Sequence, residues 1–87
     1  MRVEIHKHAR KSLEKSPKKI QRKFLEFVEY CLNDKLNKVR FPIVLMKGKF
    51  KIYKEAKIDK DYRIIFRIED NIVYIRYAGT HNYLGTA

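Results

Sequence analysis

Residues 59–78 read Asp59-Lys60-Asp61-Tyr62-Arg63-Ile64-Ile65-Phe66-Arg67-Ile68-Glu69-Asp70-Asn71-Ile72-Val73-Tyr74-Ile75-Arg76-Tyr77-Ala78. Within it, Tyr62, Ile64, Phe66 and Ile68 recur at every second position, the period of a strand with one buried face. Arg63 and Arg67 fall on the opposite face. Asp70-Asn71 is a two-residue hairpin connection, since both residue types tolerate positive φ, and Ile72–Ala78 is the returning strand. Asp59-Lys60-Asp61 is a second turn. It leads back to Phe50–Ile58, where Phe50, Ile52, Ala56 and Ile58 share a side that Lys54 interrupts, and Lys51, Tyr53, Glu55 and Lys57 share the other. The C-terminal half is therefore a run of strands.

The N-terminal half has a different period. Residues 2–6 alternate as a short strand, and a short helix is expected over 7–15. Ser16-Pro17 then marks a helix start, with Ser16 as N-cap and Pro17 at the first helical position. Ile20, Phe24, Val28, Cys31 and Leu32 recur at helical spacing, flanked by Leu25 and Phe27, and the helix ends near Asn33. Residues 33–46 form a long connection broken by Pro42. The element order is β-α-α-β-β-β, an α+β class. Helices cover one face of the sheet, and the other face is free to carry basic residues.

With 87 residues, the chain is expected to be a single domain spanning 1–87. Lys and Arg number 21 against 10 Asp and Glu, a formal charge of +11. That field favours polyanionic partners and makes binding salt-dependent. Both halves are basic, so the charge is not one detachable tail. The single Cys31 excludes an internal disulfide framework and a cysteine-based zinc site. The longest apolar runs, such as Phe41–Met46, are too short to span a membrane, and MRVEIHKHAR has no apolar centre of a secretion signal. A reducing, cytoplasmic setting is the expectation.

The residues Val3-Glu4-Ile5-His6, the Lys/Arg-rich helix pair, Leu45-Met46-Lys47-Gly48 before a basic strand, and Asp61–Ile68 together resemble the RelE/ParE superfamily of toxins from type II toxin–antitoxin systems. The ending Tyr77-Ala78-Gly79-Thr80-His81-Asn82-Tyr83-Leu84 is similar to the YafQ-like branch. The resemblance covers nearly the whole chain. It implies a small fold with two N-terminal helices packed on a twisted antiparallel sheet. It also implies ribosome-dependent cleavage of mRNA, and neutralisation by a cognate antitoxin whose segment, often acidic and C-terminal, wraps the toxin. The ParE branch instead poisons DNA gyrase, and a non-catalytic basic RNA- or protein-binding module is a third reading.

RNA cleavage without a metal or other cofactor uses the 2′-hydroxyl as an internal nucleophile. It needs a base for that proton, positive charge on the developing phosphorane and an acid for the departing 5′-oxygen. The resemblance places an acid–base residue at His81, whose side-chain type titrates near neutral pH, and a phosphate contact at Arg63. Lys57 falls where YafQ-like toxins carry a catalytic His, and Asp61 where they carry a functional Asp. The Lys-for-His departure favours electrostatic stabilisation over proton transfer at position 57. Lys51 and Lys54 lie in the lysine-rich segment where RelE-like toxins place catalytic lysines. Alternation sets Lys51 on the face of Lys57, with Lys54 opposite. Arg67, Tyr53 and Tyr83 are candidates for RNA contact, the tyrosines by stacking on bases. Asp61 also suits a plain turn, and His6 and His8 read as structural or surface residues. The basic segment 7–23, with eight Lys/Arg and one Glu14, fits either a solvated face or ribosomal RNA docking.

Overall fold

The computed structural model describes residues 1–80. Its elements are β1 (Arg2–Ile5), α1 (Lys7–Glu14), α2 (Lys18–Leu32), β2 (Ile43–Leu45), β3 (Lys54–Asp59), β4 (Tyr62–Glu69) and β5 (Ile72–Thr80), with single 3₁₀ turns at Leu36–Lys38 and Gly48–Phe50. The five strands form one sheet in the order β1-β5-β4-β3-β2. From β1 the chain crosses one face through the two helices to the far edge, then returns as a meander. The last strand, β5, meets β1 in the parallel sense, while every other pair is antiparallel. The sheet expected to be antiparallel is thus mixed. Strand period carries no information on relative direction, so alternation alone could not reveal the parallel pair. The strand Ile43–Leu45 lies inside the segment read as a long connection; at three residues it is too short to show a period.

The core lies between the helices and one sheet face. Ile20, Phe24, Phe27 and Cys31 of α2 are buried at spacings of four, three and four, which aligns them on one side of the helix. They face Ala56 and Ile58 of β3, Tyr62, Ile64 and Phe66 of β4, and Val73, Ile75 and Ala78 of β5. Phe27 and Phe66 meet edge-to-face with centroids 5.2 Å apart. The apolar stripe is rotated from its expected setting, so that Phe27 lies at its centre and Leu32 is exposed. Cys31 is fully buried, and burial pushes its thiol up to about 11, keeping it a protonated core residue.

Two local expectations change. Ser16 does not cap α2: its Oγ donates to the Ser12 carbonyl at 2.8 Å and bonds the Tyr62 hydroxyl at 2.9 Å, tying the end of α1 to β4. The strand expected from Phe50 begins only at Lys54. Gly48, at φ +68°, starts a 3₁₀ turn through Phe50, and the chain turns again at Lys51 and Ile52. Asp70 and Asn71 both adopt positive φ, as their hairpin position requires.

At the other end of α1, His6 is the N-cap, its Nδ1 accepting the backbone N–H of His8 at 3.1 Å. Desolvation first, then the nearby charges of Arg76, His8 and Lys7, lower its pKa from the ordinary 6.5. The folded state therefore prefers the neutral ring. This contribution to stability is complete above 6.5 and is lost as pH falls through the depressed folded value. The thermal midpoint is expected to drop between pH 7 and pH 5, above the range where carboxylates protonate. His6→Asn, which caps without titrating, should flatten that drop; an unchanged profile would show that the ring's charge does not matter to folding.

Candidate functional site

The sheet face away from the helices is built as cross-strand rows. Arg63 pairs with Lys57 on β3 and with Gly79 on β5. Ile65 pairs with Glu55 and Tyr77. Arg67 pairs with Tyr74 on β5, which in turn pairs with Glu4 on β1. Opposite side chains in such rows sit about 4.5–5.5 Å apart at Cβ, so the rows place chemistry in contact across four strands.

Arg63 is only 12% exposed. Its Nη1 donates to the carbonyls of Asp59 and Lys60 at 3.2 and 3.1 Å, bracing the β3–β4 turn. Its Nε lies 3.9 Å from Glu55 Oε1 and is buried with no hydrogen-bond partner among the described residues. Lys57 is exposed beside it. Asp61 is exposed in the same turn, whereas its neighbour Asp59 receives Lys23 Nζ at 2.5 Å, a bond that holds the Asp59 carboxyl below the ordinary carboxylate range. No local pattern in the sequence signals this pair, since Lys23 sits on α2.

A bulge in β5 determines the rest. Phe66 pairs with Ile75 but Ile65 with Tyr77, leaving Arg76 as the extra residue. Regular alternation from Val73 and Ile75 would send Tyr77 and Gly79 into the core. The bulge instead turns Ala78 inward and brings Tyr77 and Gly79 to the open face, the kind of re-aiming that bulges perform beside functional sites. The Tyr77 ring then lies over Gly79: a Cβ there would sit 2.4 Å from the Tyr77 hydroxyl. Burial raises the pKa of that phenol. Gly79→Ala is expected to expel the ring and lower any activity of this face by about 10-fold or more, because small displacements at a reacting centre are costly. The stability cost should be near the lower end of about 1–3 kcal/mol for overpacking. It should vanish in the Tyr77→Ala background; a cost that persists there would mean the glycine serves the backbone instead.

The candidate residues therefore separate. Arg63 and Lys57 stand together, with Asp61 in the adjoining turn. Arg67 stacks over the Tyr74 ring at 4.1 Å, and Tyr53 joins them along a cleft of about 210 Å³. Lys51 is exposed in the turn before β3 and does not share the face of Lys57, because residues 51–52 are not strand. Lys54 points to the helix side, where it lines a separate cavity with Ile43 and Phe66. His81 and Tyr83 lie outside the described residues. Glu55, Tyr74, Tyr77 and Arg76 were not singled out from sequence. Of these, Tyr74 was open to the alternation argument, and Tyr77 was hidden by the bulge. Among the described residues no three His, Cys, Asp or Glu side chains come together as a metal-ligand group, and no helix is long and apolar enough to cross a membrane.

Two helices on one face of a five-stranded mixed sheet are the fold of the RelE-superfamily type II toxins, and this chain has that fold. Among solved structures it is similar to RelE in the RelE–RelB complex from Pyrococcus horikoshii OT3, at 27% identity over 94% of this chain and 96% of that one, with a TM-score of 0.76. It is also similar to YafQ from E. coli strain BL21(DE3), at 19% identity over 97% and 98% of the two chains with a TM-score of 0.75. The YoeB–YefM complex from Staphylococcus aureus gives 15% identity over 93% and 97%, with a TM-score of 0.78. No protein-family model and no curated protein matches the chain.

Proposed function

We propose that this chain is the toxin of a type II toxin–antitoxin pair and cleaves mRNA on the ribosome without a metal. The observation that carries the reading is the Lys57–Arg63–Gly79 row, set on the exposed face of a RelE-like fold and two residues before His81 in the chain. In the reaction the 2′-oxygen bonds to the adjacent phosphorus and the P–O5′ bond breaks. The 2′-hydroxyl proton passes to a base and the departing 5′-oxygen takes a proton, giving a 2′,3′-cyclic phosphate and a 5′-hydroxyl. His81 is the acid–base group. Arg63 and Lys57 place positive charge against the non-bridging oxygens as negative charge builds there. Asp61 supplies a carboxylate in the adjoining turn, and Arg67 and Tyr53 hold flanking RNA.

The partner is a cognate antitoxin. RelE, YoeB and YafQ are each solved with one, and an acidic antitoxin segment complements a chain of charge +11. The purified chain, added to a translating extract, is expected to cut the translated message and leave 5′-hydroxyl ends, with EDTA having no effect beyond its effect on ribosomes. Untranslated message should be cut far more slowly. Intact mRNA would overturn the reading, and intact mRNA with inhibited gyrase would place the chain with the ParE-type poisons.

A further inference from the structure

The cleft on the β1 side of the open face is distinct from the Lys57–Arg63 row. Along β4, Arg67 is four residues from Arg63, about 13 Å at strand rise. The cleft's volume of about 210 Å³ is below the range usual for drug-sized ligands, and suits one flat ring system. Its walls carry six polar or aromatic side chains: Glu4, His6, Tyr53, Arg67, Tyr74 and Arg76.

We infer that this cleft is a nucleobase subsite that selects guanine at a nucleotide flanking the cleaved linkage. The inference rests on the RNA-cleaving reading above and names its specificity determinant. Arg67 is braced against Tyr74. Its guanidinium stacks 4.1 Å from the Tyr74 centroid, and its Nη1 donates to Glu69 Oε1 at 2.9 Å. A guanidinium plane so held is a stacking surface for an RNA base. The edge-reading groups stand at the β1 end. Glu4 presents a carboxylate, which only accepts hydrogen bonds. Its ion pair to Arg2 at 3.3 Å joins two largely exposed side chains and constrains it little. His6 accepts the His8 N–H through Nδ1, so in the neutral ring the proton sits on Nε2, a donor. One acceptor group beside one donor complements the guanine edge, which offers adjacent N1–H and N2–H donors next to the O6 acceptor. Adenine, cytosine and uracil each lack two adjacent N–H donors on that edge. Arg76, the exposed extra residue of the bulge, adds positive charge for the accompanying phosphate.

The test uses short single-stranded 2′-O-methyl RNAs, which lack the attacking hydroxyl and so report binding without cleavage. Four such RNAs differ only at one position. The wild-type chain is expected to bind the guanine version at least 10-fold tighter than the uracil version. Glu4→Gln should collapse that difference while weakening uracil binding little. Arg67→Ala should weaken all four by about 10-fold or more, the loss of a stacking surface. Lys57→Ala should weaken all four without changing their order. An unchanged base order in Glu4→Gln, or no base preference in the wild type, overturns the inference. A wild type that prefers guanine yet never cuts unmodified, translated mRNA keeps the subsite and overturns the nuclease reading instead.

Discussion

His81→Ala is expected to slow mRNA cleavage by about 10²–10⁴-fold, the usual contribution of a positioned acid–base group, while the thermal midpoint stays within about a degree or two of wild type. The reasoning is chemical. In the described residues of the open face the polar side chains include cations, carboxylates and phenols; the imidazole of His6 stands at the β1 end with its Nδ1 committed to capping α1. Arg63 and Lys57 can face negative charge, and burial raises the Tyr77 phenol away from neutrality. The chain continues from Thr80 directly into His81, whose side-chain type exchanges protons near neutral pH. The pH profile provides the decisive readout. Wild type should show a limb near the ordinary imidazole range, and the variant should lose it, not merely shift down in rate. If His81→Ala retains both rate and profile, proton transfer belongs elsewhere and the roles given to the Gly-Thr-His ending are wrong.

The parts of this molecule that were legible in the sequence are those written by period. The alternation of Tyr62, Ile64 and Phe66 against Arg63 and Arg67 placed both arginines on the open face, because each strand residue's side is fixed by parity unless a bulge intervenes. The positive-φ hairpin at Asp70-Asn71 was legible because few residue types tolerate that conformation. The illegible parts are departures from period or pairings distant in sequence. Alternation fails upstream of Lys54, where Gly48 begins a turn that runs through Ile52, so parity does not fix the side of Lys51. It would fail in β5 too, where one extra residue at Arg76 exchanges the sides of Tyr77 and Ala78. The parallel β1–β5 register, which delivers Glu4 and His6 to the cleft, joins residues about 70 apart, and no local signal encodes it. Ser16 illustrates competition: a good N-cap residue type was drawn instead to Tyr62, 46 residues away.

Arg63→Ala tests whether the best-defined cation of the site acts on substrate or only on the fold. Both effects are expected. Loss of a preorganised positive group at the developing phosphorane costs about 10²–10³ in rate. Loss of its bonds to the Asp59 and Lys60 carbonyls should cost about 1.5–3 kcal/mol, the range for hydrogen bonds to charged groups, and loosen the turn that carries Asp61. The two are separable because the guanidinium is not used up by the turn: Nη1 serves both carbonyls, while the buried Nε has no hydrogen-bond partner among the described residues. That Nε is buried 3.9 Å from Glu55 Oε1, so a phosphate oxygen would meet the guanidinium on its other edge, at Nη1 and Nη2. Arg63→Lys preserves the charge but not the planar fork. It should recover much of the stability through one carbonyl contact and little of the rate. Rates must be compared per folded molecule, with the folded fraction taken from urea unfolding at the assay temperature. If both variants unfold more easily yet cleave as fast as wild type once corrected, Arg63 is a brace for the β3–β4 turn, and the charge that meets the phosphate must come from Lys57 and Arg67.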